Sequence, residues 1–271
     1  MSSTQGSQFA LRLKDVSFIS EGRTIISSIN MDINKGQIVA IVGPSGAGKT
    51  TLLKILTGLM QSSSGTVEIL GSVFSKLSYP DQMKIRRRMG ILFQQGGLQN
   101  QLNVFENVAF PLRQHFQLAE DYLETLVLNK LEAVGLKQAA DLMPEELSGG
   151  MMRRVALSRA IVMDPEILIY DEPFVGQDPI SSQVLVNLIR KMNELPGVTS
   201  VIVSHDIELV LELADMIYFV ADGVVIVKGS AEVIEGSSHP WVRQFLDGDV
   251  DGPMPFHYSK FLQKDVRGFQ E

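Results

Sequence analysis

The sequence contains no cysteine. That excludes disulfides, thiolate metal sites and cysteine nucleophiles. Cations are not in excess: 24 Lys+Arg stand against 31 Asp+Glu in 271 residues, for a net charge of −7. Broad nucleic-acid binding usually shows as a basic balance or patch, so nucleic acid is not an expected partner. No apolar run reaches the ~18 residues of a membrane span. Residues 1–8 have neither the basic residue nor the apolar stretch of a secretory signal, and Ser2 stands where myristoylation needs glycine. These absences predict a soluble, cytoplasmic chain whose membrane role, if it has one, comes through a partner. What remains is 45% hydrophobic and 20% charged, an ordinary globular composition on a chain long enough to bury a normal core.

Phe9, Leu11 and Leu13 alternate with polar residues, so Gln8–Ser17 reads as a strand. Ile25–Ile33 reads as a second. Gln37–Val42 is a short apolar run, as a fully buried strand would be. Lys49–Leu59 carries apolar residues at helical spacing, and Gly65–Leu70 is another strand. The middle reads as mostly helical, including Ala119–Val134, with Gly135 as its stop, and Met151–Val162. Strands return at Ile167–Tyr170, Val198–Val203, Met216–Val220 and Val224–Val227, with helices at Ile180–Leu195 and Ile207–Ala214. That alternation predicts an α/β fold with a parallel sheet.

Gly43-Pro44-Ser45-Gly46-Ala47-Gly48-Lys49-Thr50 fits G-x-x-x-x-G-K-[ST] between a strand and a helix, the context the phosphate-binding pattern requires. Gly46 and Gly48 let backbone N–H groups turn inward, and the following helix adds its positive end. Lys49 supplies a charge for β- and γ-phosphates. The Thr50 hydroxyl suits Mg²⁺, a hard cation that prefers oxygen. The buried strand Ile167–Tyr170 runs into Asp171-Glu172, at the carboxyl end where open α/β sheets bind ligands. Asp171 is expected to hold Mg²⁺ and Glu172 to polarise the attacking water.

Leu147-Ser148-Gly149-Gly150-Met151 opens a helix and resembles the LSGGQ signature of the ABC ATPase family. The order of phosphate loop, signature, paired carboxylates and His205 also matches. The resemblance covers roughly residues 9–235. It implies an ABC-type P-loop nucleotide-binding domain over 9–246, with a mainly parallel core sheet, an antiparallel β subdomain and a helical subdomain at about 96–162. The implied ligands are ATP and Mg²⁺, held by residues 43–51 including Thr51, with Thr50, Gln94 and Asp171 on the metal. Gln94 resembles the Q-loop glutamine, with Gln95 as the neighbouring alternative. Glu172 and His205 resemble the catalytic glutamate and the switch histidine, and Asp178 the D-loop aspartate. Ser148, Gly149 and Gly150 resemble a second phosphate site, completed across a head-to-tail dimer with a second copy. Two departures stand out: Met151 replaces the usual Gln, and no aromatic follows Phe18 to stack on adenine, leaving Arg23 as a stacking candidate.

Four stretches resemble the phospholipid-transporting branch of the family: Leu147–Met151, Glu172–Ile180, Val242–Gly248 and Asp251–Tyr258. That implies ATP hydrolysis coupled to lipid movement between inner and outer membranes. The implied partners are a membrane permease dimer, a small STAS-domain protein and, through the permease, a periplasmic MCE lipid-binding protein. The chain would sit peripherally on the cytoplasmic face of the inner membrane. Residues 1–8 read as a flexible N-terminus and 247–271 as an extension whose Phe256, Tyr258, Phe261 and Phe269 would dock on a neighbouring subunit. The basic run Lys84–Arg88 reads as the cationic end of a helix beginning near Tyr79, with lipid or nucleic acid as its alternative ligands. A soluble ABC ATPase acting on nucleic acid or ribosomes would usually carry two cassettes or a long coiled-coil insertion, and neither is present. A non-hydrolysing scaffold would not need Glu172 and His205.

Overall fold

A computed structural model describes residues 8–94 and 96–254 of the chain. Gln95, the N-terminal segment and the aromatic tail therefore lie outside the described residues. The chain opens with β1 (Phe9–Ser20), β2 (Arg23–Asn34) and β3 (Ile38–Val42), then α1 (Lys49–Leu56). The hairpin β4 (Ser64–Ile69) and β5 (Ser72–Val73) follows, then α2 (Tyr79–Arg86) and β6 (Met89–Leu92). Three helices come next: α3 (Val104–His115), α4 (Glu120–Ala133) and α5 (Gly149–Ile161). The remainder is β7 (Ile167–Asp171), α6 (Pro179–Asn193), β8 (Thr199–Ser204), α7 (Ile207–Leu213), β9 (Met216–Ala221), β10 (Val224–Gly229), α8 (Ala231–Glu235) and α9 (Pro240–Asp247).

The strands form two sheets. The larger runs β10-β9-β3-β8-β7-β6, all parallel except the β9–β10 edge hairpin. Its central strands β3 and β8 are buried at every residue, which is why they read as continuous apolar runs. The smaller sheet, β2-β1-β4-β5, is antiparallel. Val39 and Ile41 face a core shared with β1, β2, β4 and α1, whereas Ile38, Ala40 and Val42 face a core shared with α3 to α7. α1 is thus clamped between the two sheets, and the loop before it is held at both ends.

Several elements differ from the sequence expectation. The helix expected over Lys49–Leu59 ends at Leu56: Thr57 is its cap, with its hydroxyl bonded back to Leu53 O and Lys54 O, both at 3.0 Å, and the left-handed residue that follows breaks the helical path. Gly58 then turns left-handed at φ 67°, leaving Leu59 exposed. β1 reaches Ser20, beyond the expected Ser17, by pairing through bulges with β2. The basic run does not form one patch. Lys84 pairs with Asp81 at 2.9 Å and Arg88 with Glu166 at 2.5 Å. Arg86 donates to Gly58 O at 2.6 Å and covers the Phe74 ring.

Candidate active site

The phosphate loop begins where β3 ends. β3 lies beside β9, so a Cβ on Gly43 would come within 1.9 Å of Val220 O. Gly43 itself sits at φ 146°, so only glycine lets the chain leave the sheet here. Gly48 caps α1 at φ 95°, and a Cβ there would meet Ile26 at 2.8 Å. Gly46, at φ 80°, faces open space; its requirement is conformational. Lys49 is buried and donates to Gly43 O at 2.6 Å and Pro44 O at 3.0 Å. Burial lowers its pKa, and Glu172 and Asp171 partly restore it. An incoming phosphate would replace two neutral carbonyls with an anion, a stronger partner for the ammonium.

A cavity of about 400 Å³ opens over this loop, and its wall includes Thr50, Thr51, Gln94, Glu172 and His205. The fold has therefore gathered residues from α1 and from the carboxyl ends of β6, β7 and β8. Asp171 ends β7 half-buried. Burial, then the neighbouring Glu172, raises its pKa. Glu172 adopts φ 48°, a left-handed conformation that costs a non-glycine residue about 1–2 kcal/mol. Its backbone N–H is tied to Val203 O at 2.8 Å, so the turn is held in place. The turn aims the carboxylate at β8: Glu172 Oε2 accepts from the His205 backbone N–H at 3.2 Å and lies 2.8 Å from His205 Nδ1.

Ser148, Gly149, Gly150 and Asp178 are placed differently. None of them lines that cavity in the same chain. Ser148 caps α5, accepting from Met151 N–H at 3.2 Å. Asp178 caps α6, accepting from the N–H groups of Ile180 and Ser181, both at 3.0 Å. The Ser181 hydroxyl also donates to it, holding its carboxyl below the usual range. The two helix ends adjoin: a Cβ on Gly150 would lie 2.8 Å from Ser181 Oγ. Arg23, the stacking candidate, is exposed at the start of β2, and Ile25 is the β2 residue on the cavity wall.

The ABC transporter family profile matches residues 26–175, spanning the phosphate loop, the signature and the carboxylate pair. The chain belongs to the ABC transporter family. The cassette is 49% identical over 246 residues to the Escherichia coli K12 intermembrane phospholipid transport system ATP-binding protein MlaF, covering 91% of each chain. Among solved structures it resembles cbiO1 from Clostridium perfringens, part of the ABC transporter complex cbiONQ. The TM-score is 0.79 at 30% identity, over 85% of this chain and 92% of that one. It also resembles the ATP-binding cassette MJ0796, solved as a dimer in a post-hydrolysis state with ADP and Pi. There the TM-score is 0.75 at 31% identity, over 82% of this chain and 98% of that one. The cassette is thus an ATP-binding, ATP-hydrolysing domain.

Three residues that organise the cassette were not singled out from sequence. Arg153 on α5 is buried and donates to Phe93 O at 3.3 Å and Val175 O at 2.8 Å. It ties the signature helix to the segments carrying Gln94 and Asp178. Arg159, one turn and a half further, donates to Gly97 O at 2.6 Å and Gly96 O at 2.7 Å. Asn107 on α3 is fully buried; it accepts from Gln99 N–H and donates to Gln99 O, Leu102 O and Asn103 O at 2.8–3.0 Å. A signal existed: polar residues interrupt the apolar faces of α3 and α5, and buried polar groups are kept where they are hydrogen-bonded.

The donor set also fits Mg²⁺. Among the described residues no group of three or more His, Asp or Glu forms a cage. Mg²⁺ is commonly held by one or two carboxylates with waters and substrate phosphates, and does not need an all-protein site. Thr50 and Gln94, on the cavity wall, are donors of that kind; Asp171 is not on that wall and lies behind it, near enough for its charge to act on Lys49. Among the described residues no helix is long and apolar enough to cross a membrane.

Proposed function

We propose that this cassette is the ATP-hydrolysing subunit of an inner-membrane complex that moves phospholipids between the inner and outer membranes, and so maintains outer-membrane lipid asymmetry. The observation that carries the reading is the convergence on one cavity of Lys49, Thr50, Gln94, Glu172 and His205. The likeness to the Escherichia coli protein over 91% of each chain supplies the lipid-transport context. Residues 43–51 bind the triphosphate, with Lys49 leaving its own loop carbonyls for the β- and γ-phosphates. Thr50, Gln94 and Asp171 would hold Mg²⁺, which when bound neutralises charge on the phosphate oxygens. Glu172 accepts the proton of the attacking water, and His205 orients Glu172 and meets the γ-phosphate.

The signature residues Ser148, Gly149 and Gly150 lie apart from the cavity of their own chain, which favours a head-to-tail dimer in which they face the second copy's nucleotide. Asp178 holds that segment in shape as a helix cap. Closure of two cassettes on ATP and reopening after hydrolysis would be the bistable element that does the work. A groove of about 480 Å³ lined by Phe93, Phe110, His115 and Arg159 is the proposed seat of a permease helix. Phe93 and Phe110 are exposed there. A permease dimer, a STAS-domain protein and a periplasmic MCE protein complete the proposed complex, which places the cassette on the cytoplasmic face of the membrane. In this reading 9–246 is the ATPase domain and 247–271 a tail that docks on a neighbouring subunit.

The test is a pull-down of the tagged chain from detergent-solubilised native membranes, with phosphate release measured on the eluate. Recovery of a permease and a STAS-domain protein, with release lost in Glu172→Gln, is the expected result. A membrane-free eluate containing nucleic acid or ribosomes would overturn the transport reading.

A further inference from the structure

Beyond α9 the chain doubles back on itself, and one side chain fixes the turn. Gln244 is buried. Its amide donates to Asp249 O and Met254 O, both at 3.2 Å, and its Oε1 accepts from Met254 N–H at 2.8 Å. Gly252 is the residue that lets the strap pass, since a Cβ there would lie 2.4 Å from Gln244 Cδ. The strap so held is one wall of a hollow of about 510 Å³. Phe245, Val250 and Met254 make its apolar side; Pro44, Ser45 and His205 make the other. The hollow therefore opens directly beside the phosphate loop, and its apolar wall is preformed.

A matching apolar surface lies elsewhere on the chain. Ile180 is 78% exposed, the highest value for a large hydrophobic residue among the described residues. Val184, one helical turn later on the same face of α6, is also exposed. Solvent contact of this extent has no role in the fold of the single chain. Both residues sit at the helix end that adjoins the signature, through the contact of Gly150 with Ser181.

We propose that Ile180 and Val184 of a second copy seat in this hollow when two cassettes close. The inference rests on the proposed head-to-tail arrangement, in which the signature of one copy faces the phosphate loop of the other. That arrangement brings the flank of the signature, which carries Ile180, toward the flank of the phosphate loop, where the hollow lies. Two-fold symmetry then makes the contact twice. The strap beyond α9 thereby becomes part of the closure surface, and Gln244 a positioning residue for it.

The lack of cysteine makes the test clean, because introduced thiols are the only ones present. In the full-length chain carrying Glu172→Gln, so that ATP is held and not consumed, Ile180→Cys and Val250→Cys are combined and oxidised with copper phenanthroline. Covalent dimer is expected with Mg-ATP and not without nucleotide, and neither single-cysteine chain should reproduce its yield. In the same Glu172→Gln chain without added cysteines, Ile180→Asp should weaken ATP-dependent dimerisation at least tenfold by sedimentation, whereas Ile180→Leu should leave it within about twofold. If Glu172→Gln dimerises with ATP but no cross-link forms and Ile180→Asp dimerises equally well, the hollow is not the seat and the head-to-tail reading stands. If Glu172→Gln shows no ATP-dependent dimer, both fall.

Discussion

Replacing Glu172 by Gln separates binding from turnover. The substitution keeps the shape of the side chain, so its amide oxygen can still accept from the His205 backbone N–H, now 3.2 Å from Glu172 Oε2. The left-handed backbone at φ 48° is unchanged, and so is its tie to Val203 O. What is lost is the proposed base, and one charge-assisted hydrogen bond at 2.8 Å from His205 Nδ1, a change of about 1 kcal/mol. The melting temperature without nucleotide should therefore move by no more than about 4 °C, since 1 kcal/mol shifts a domain of this size by about 2–4 °C. Turnover should fall by about 10²–10⁴-fold, the usual worth of a positioned general base, or about 2.7–5.4 kcal/mol of barrier. ATP at 100 times its Kd should still stabilise the variant by about 2.7 kcal/mol, or about 5–11 °C. Phosphate release in single turnover and thermal melts with and without Mg-ATP read both halves. A fall of less than tenfold in release, with the ATP-induced shift intact, would refute the assignment of Glu172 as base.

Two glycines of one loop should fail differently. Gly43→Ala forces a Cβ to 1.9 Å from Val220 O at φ 146°; with strain of about 1–3 kcal/mol and overpacking of about 1–3 kcal/mol, its melting temperature should drop by about 4–24 °C. Gly46→Ala meets open space, so it should melt within about 8 °C of the parent and above the Gly43→Ala chain, by the cost of a left-handed alanine alone, yet bind ATP poorly; equal melting of the two variants would sink this account. Asp171→Asn tests electrostatics. Burial and Glu172 raise the Asp171 pKa, so the folded state holds that proton to a higher pH than the unfolded chain does. Ionisation of Asp171 then costs stability above its unfolded pKa, near 3.9. The variant should melt higher than the parent at pH 7, lose that advantage as pH falls toward about 4, and lose Mg²⁺-dependent ATP binding throughout. A melt lower than the parent's at pH 7 would contradict the sign.

Parts of the cassette whose chemistry is contiguous along the chain are legible from the residues alone. A phosphate cradle needs its glycines, lysine and hydroxyl within eight residues, so Gly43–Thr50 was readable as a string. Buried parallel strands need continuous apolar runs, so β3, β7 and β8 and the helices between them were legible in order, and the family followed from their motifs. Features that depend on residues far apart in the chain emerge only on folding. Arg153 reaches Phe93 across 60 residues, and no local pattern announces a guanidinium that serves a carbonyl on another element. Asn107 and Gln244 are invisible for the same reason: a buried amide is stable only through partners that folding brings to it. The fold also placed Glu172 beside His205 and set Ser148–Gly150 apart from their own chain's cavity. A motif states which atoms can meet a phosphate; only the packing of α1 between two sheets, and of α5 against α6, states which of them do so within one chain.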